Sequence, residues 1–255
     1  MLLTTHQLTP LVFLTAIFRL ATMSQSIKTI TVPPFSLSAN SDTDIWRKVL
    51  PASSSCTSRV FTLVLTSVKP PSHNAFNAPT HPNPLPLYKL SEFQSAKLTF
   101  ALPVASTLLQ YDQAGLLLHL TKKGETDKWI KTGIEYYYSN PYISTVGCDN
   151  WADWSIVPLS PYGGNETRPS TTIEAKREMD VLGKSLWVYQ VIYGDDGKEK
   201  ERRPLRELTW VFGEEDGWSI GIGGYVARPN NDTKGILEAE FEKGVEVVVS
   251  CEDTK

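Results

Sequence analysis

Trp129, Lys131, Glu135 and Tyr137 occupy odd positions of one run, residues 128–137. In a β-strand, side chains two apart share a face. Two aromatic rings, a cation and an anion would then stand in one row around Gly133. Rings that stack on sugar faces, beside carboxylates and amides that bond hydroxyls, are a chemistry of saccharide recognition. Asp112 and Gln113, and Asp153 with Trp154, bring the same residue types from neighbouring stretches. The candidate ligand-binding set is therefore Asp112, Gln113, Trp129, Lys131, Glu135, Tyr137, Asp153 and Trp154. A second reading is structural: Lys131 and Glu135 neutralise one another across a sheet, and the tryptophans, seven in the chain, fill the core.

Catalytic chemistry finds less support. A glycosidase needs two carboxylates about 5–9.5 Å apart across the scissile bond, which a strand supplies as acids two residues apart. Glu238, Glu240 and Glu242 alternate in this way, but beside the C-terminal strand, where a solvated acidic face is expected. Glu214-Glu215-Asp216 reads as a polar loop. No G-x-S-x-G elbow occurs. Of the four histidines, His6 lies near the start, His73 and His81 lie in a proline-rich stretch, and His119 ends an apolar run as a packed residue. Gly221-Ile222-Gly223-Gly224 precedes no helix, so it reads as close strand packing rather than a phosphate loop. No catalytic residue, metal site or cofactor is expected.

These residues need strands to position them. Segments 97–102, 115–120, 128–138, 142–146, 185–193, 208–212, 218–227 and 245–249 are rich in β-branched and aromatic residues. Turn signals separate them, among them Ser139-Asn140-Pro141, Gly163-Gly164-Asn165 and Asp216-Gly217. Asp196-Gly197 predicts a hairpin between 187–193 and 205–212, with the charged run 198–203 at its solvated tip. Within 128–137 the even positions Ile130, Thr132, Ile134 and Tyr136 suit the interior between two sheets. In 185–193, Leu186, Val188 and Ile192 share one face. Many short strands with regular turns predict an all-β fold, a two-sheet antiparallel β-sandwich.

The expected organisation is an N-terminal extension over residues 1–28, outside the fold, and a sandwich domain over 29–252. A Pro/Ser-rich irregular insertion stands around 50–87, where prolines allow only loop or edge strand. The apolar run 11–18 has signal-peptide length, but no Lys or Arg precedes it and Arg19 follows it directly. Met23 opens a polar segment suited to a cytosolic start, so a cytoplasmic chain is expected; secretion is the other reading, should residues 1–22 act as a signal peptide. Cys56, Cys148 and Cys251 are too few and too scattered for a disulfide framework or zinc site. The sequons at Asn165 and Asn231 matter only for a secreted chain. A net charge of −3 predicts no nucleic-acid or membrane partner.

Several strings together carry a resemblance: Tyr111-Asp112-Gln113-Ala114-Gly115-Leu116, Trp129-Ile130-Lys131-Thr132-Gly133-Ile134-Glu135 and Asp153-Trp154-Ser155. Residues 218–229, residues 237–242, Ile45-Trp46-Arg47-Lys48 and Phe76-Asn77-Ala78-Pro79-Thr80 extend it. The chain resembles the DUF1349 family, whose fungal members include proteins similar to the regulation-of-enolase protein. The resemblance covers roughly residues 30–249, with 50–74 as a departure that reads as a segment foreign to the fold or a long surface loop. It implies a concanavalin A-like jelly roll with one concave sheet, and no established activity. Two functions follow as expectations. One is a non-catalytic, lectin-like domain that binds a saccharide or similar polar ligand on the concave sheet. The other is a regulatory protein of carbohydrate metabolism acting on a protein partner such as enolase.

Overall fold

A computed structural model describes residues 25–48, 74–231 and 235–252. The apolar run 11–18, Met23, the serine cluster 53–55 and Cys56 lie outside the described residues.

Two antiparallel sheets form the molecule. The first has eight strands, with the order β1 (Gln25–Val32), β17 (Val245–Glu252), β7 (Phe93–Ala101), β12 (Ser170–Asp180), β13 (Gly183–Tyr193) and β14 (Glu199–Leu208). To this path β16 (Leu237–Phe241) adds itself beside β7, and β2 (Phe35–Ala39) beside β16. The second sheet has seven strands, with the order β11 (Ala152–Pro158), β10 (Asn140–Cys148), β9 (Lys128–Tyr137), β8 (Gln113–Thr121), β15 (Ser219–Ala227) and β5 (Thr80–His81). Here β6 (Leu87–Lys89) also pairs with β15. A separate two-stranded piece joins β3 (Ile45–Arg47) to β4 (Asn74–Phe76). The fold is a two-sheet antiparallel β-sandwich of the jelly-roll kind.

The core lies between the sheets because strand alternation points one side of each inward. From β9 come Ile130, Ile134 and Tyr136, with Thr132 sharing a 2.9 Å hydrogen bond with the Thr145 hydroxyl. Leu116 and Leu118 of β8 and Ile220 and Ile222 of β15 extend this layer. Leu98, Phe100, Ile173, Leu186, Val188 and Val247 meet it from the eight-stranded sheet. Each such side chain, fully buried, contributes about 1.5–3 kcal/mol. In β13 the inward face continues through Gln190, while Ile192 is only half-buried.

Two parts depart from the sequence expectation. Residues 25–28, placed in the extension, pair with β17 as the start of β1. Residues 208–212, expected as a strand, form a turn after Leu208. Their apolar side chains serve burial without a ladder: Val211 and Phe212 are buried, and the Arg177 guanidinium lies 3.8 Å from the Phe212 ring centre. The hairpin at Asp196-Gly197 therefore returns along 199–208, and Gly197 turns it at φ 74. The charged run sits in this edge strand, where Arg202 pairs with Glu199 and Arg203 with Glu201. Charges on an edge strand oppose pairing with another chain. The proline-rich stretch contributes β4, β5 and β6, each short and each at an edge, as its prolines require.

Candidate functional site

The outward side of the seven-stranded sheet carries the chemistry. Register aligns Trp154, Val146, Lys131 and Leu117 in one row across β11, β10, β9 and β8. A second row holds Ser144, Gly133, Gly115 and Tyr225, and a third Tyr142, Glu135 and Gln113. Gly115 and Gly133 sit opposite each other, and a Cβ on either would fall 2.6 Å from the other's Cα. This pair leaves a floor without side chains between the polar rows.

One end of this face is closed. The β3–β4 piece lies over it, and Ile45 joins Leu117, Trp129, Val146, Cys148 and Tyr225 in a second apolar cluster. Trp46, Ala78 and Leu85 pack around that cluster. Arg47 clips the cover down by donating to the Asp127 carbonyl at 2.8 Å. Burial pushes the Cys148 thiol up to about 11, which favours its protonated form.

The other end opens into a cleft of about 480 Å³, lined by Asp44, Trp46, Tyr111, Gln113, Lys131, Glu135 and Trp154, among others. Lys131 is almost wholly buried, and its Nζ donates to Asp44 Oδ1 and to Gln113 Oε1, both at 2.9 Å. The same Gln113 oxygen accepts the Tyr225 hydroxyl at 3.3 Å. Lys131 Nζ also lies 5.8 Å from the Trp46 ring centre. Glu135 is buried, and its Oε2 accepts the Trp154 indole N–H at 3.1 Å. That N–H also reaches the Ser144 hydroxyl at 3.0 Å. Burial pushes the Glu135 carboxyl above its ordinary range, against the pull of the Lys131 charge and of hydrogen bonds from Ser144 and Trp154.

An aromatic rim flanks the cleft. Tyr137 meets the Trp154 ring edge-on at 5.3 Å and lies 5.6 Å from Tyr111 and 4.2 Å from Tyr138. A hydrogen bond with Tyr138 pushes the Tyr137 phenol up to about 12. Tyr111 stands at φ 70, a left-handed conformation uncommon outside glycine, and its N–H is held by the Tyr136 carbonyl at 2.7 Å. Backbone in such a conformation persists where its surroundings over-determine it.

Of the eight sequence candidates, Gln113, Lys131, Glu135 and Trp154 line the cleft, and Tyr137 supports its rim. Three do not. Trp129 shares a face with Lys131, but the β3–β4 cover leaves it 1% exposed. Asp112 is fully buried and held by Arg228 through two hydrogen bonds, at 2.9 and 2.6 Å, and by the Leu109 N–H at 2.9 Å. Burial pushes its carboxyl up, and Arg228 opposes the shift. Asp153 alternates away from Trp154 and pairs with Arg206 of β14 at 2.6 Å. The structural reading of Lys131 also changes: its ion-pair partner is Asp44, 87 residues away, not Glu135. Asp44, Trp46 and Tyr111 were not among the candidates, although each belongs to or adjoins a family-like string.

Elsewhere the alternating acids Glu238 and Glu240 of β16 face solvent. His119 is half-buried, bonded to Asp127 at 3.0 Å and 4.6 Å from the Phe76 ring. At Gly223 a Cβ would meet the His81 carbonyl at 2.5 Å, so the glycine allows β5 to pass close by. Among the described residues no group of three or more His, Cys, Asp or Glu side chains converges as a metal site.

Residues 71–245 match a family described as "Protein of unknown function (DUF1349)". An uncharacterized protein of Emericella nidulans is 38% identical over 197 residues, which cover 77% of this chain and 78% of that protein. A functionally unknown protein from Saccharomyces cerevisiae aligns in structure with a TM-score of 0.49 and 17% identity, over 86% of this chain and 95% of that one. A peanut lectin aligns with a TM-score of 0.42 and 9% identity, over 90% of this chain and all of the lectin. At such scores these structures carry no argument about a ligand, and the sandwich rests on its own strand pairing.

Proposed function

The chain belongs to the DUF1349 family, proteins of unknown function, and since membership brings no activity we propose one from the cleft: non-catalytic, lectin-like binding of a saccharide. The observation that carries this reading is the cleft's composition. Asp44, Gln113, Lys131 and Glu135 present polar groups already fixed by mutual or neighbouring hydrogen bonds, beside the rings of Tyr111 and Trp154. Fixed donors and acceptors lose little entropy on binding, which favours recognition of hydroxyl-rich ligands. Rings supply the apolar contact for sugar faces.

Glycan-array screening of the purified protein tests this, with Trp154→Ala as the companion variant. Binding to a defined glycan class, weakened at least about tenfold by Trp154→Ala, is the expected result. A blank array contradicts the reading, and a protein partner captured from cell extract without glycan dependence would favour a regulatory role instead.

A further inference from the structure

The cleft's charges do not balance. Lys131 is matched by Asp44 at 2.9 Å, and nearby Arg228 is matched by Asp112 at 2.6 Å. Glu135 is the acid left over: among the described residues it forms no ion pair, and its hydrogen-bond partners are neutral, the Trp154 indole at 3.1 Å and the Ser144 hydroxyl. It is 6% exposed, and what exposure it keeps opens into the cleft. The groups facing it from neighbouring elements are Lys131 on its own strand, Asp44 before β3, Ser144 and Tyr142 on β10, Trp154 on β11, Gln113 on β8 and Tyr225 on β15. Among these only Lys131 carries positive charge, and its ammonium is already engaged by Asp44 and Gln113.

A buried carboxyl without a cation is costly when ionised. A ligand ammonium would supply the missing charge, and a charge-assisted hydrogen bond is roughly twice as strong as a neutral one. Tyr111 and Trp154 border the same space with aromatic rings, which also attract cations. A ligand anion would instead meet Glu135 and a lysine already neutralised.

We propose that the cleft selects a saccharide bearing a free amine, with Glu135 as the residue that binds the ammonium beside Trp154 and Tyr111. This rests on the saccharide-binding reading and narrows it. Burial raises the Glu135 pKa and a bound ammonium would lower it, so binding would be linked to proton release.

Calorimetry with a glucosamine oligosaccharide and its fully N-acetylated counterpart tests the proposal. The wild-type protein is expected to bind the free-amine form at least about tenfold more tightly, and Glu135→Gln to bring that ratio close to one. Reading a ratio within each protein divides out any general weakening of the cleft. Equal affinity, preference for the acetylated form, or array binding confined to neutral or acidic glycans overturns the amine proposal and leaves saccharide binding standing. A ratio that survives in Glu135→Gln removes Glu135 from the role. Absence of binding to either oligosaccharide and to the array overturns both.

Discussion

Strand β9 passes through two environments on one side of its sheet. At its start Trp129 lies under the β3–β4 cover, packed with Ile45, Leu117 and Cys148. Within a turn of alternation, Lys131 and Glu135 reach the open cleft, where hydrogen bonds rather than apolar contacts hold the side chains. The backbone pattern is the same at both ends. What differs is the cover: a short pair of strands brought from residues 45–47 and 74–76. Residues on a shared sheet face thus divide into packing and presentation according to what a distant segment does above them.

Truncating a tryptophan at each end breaks this comparison most directly. Trp129→Ala empties the closed end and is expected to destabilise the fold by about 3–5 kcal/mol in urea denaturation. Trp154 is half-buried, so Trp154→Ala is expected to lower stability less, by about 1–2 kcal/mol, as it gives up partial packing and its hydrogen bonds to Glu135 and Ser144. Equal losses would mean that both ends serve stability alone.

A smaller effect appears in pH dependence. Burial raises the folded-state pKa of Glu135 above its ordinary 4.5. Between that value and the raised one the folded protein holds a proton the unfolded chain has released. Stability therefore falls as pH rises through this window, then levels off. Glu135→Gln removes that part of the slope. Asp112 and Glu174, raised by burial as well, retain theirs. Denaturation midpoints across the window check this, and an unchanged slope in the variant would mean that Glu135 titrates as if exposed.

The inward face of β9 was legible because alternation is local: Ile130, Thr132, Ile134 and Tyr136 point to the core as a period of two dictates. The cover over Trp129 was not, because pairing of 45–47 with 74–76 depends on a contact that no local pattern encodes. Asp44 escaped notice for the same reason, lying 87 residues from the lysine it neutralises. Asp112 looked like a ligand group by residue type, yet the separation from Arg228 hid a structural ion pair. Residues 208–212 show a different limit: apolar and β-branched composition records burial, and a buried turn has the same composition as a strand.

In the proposed function, ligand enters the open end of the face and leaves the closed end untouched. The side-chain indole N–H signals of the seven tryptophans report on both ends in one NMR titration with a glycan selected by the array. The Trp154 indole is expected to shift and saturate with the backbone amides of Lys131 and Glu135, while Trp129 stays still. A titration that moves Trp129 instead, or leaves Trp154 unmoved while binding occurs elsewhere on the surface, would contradict it.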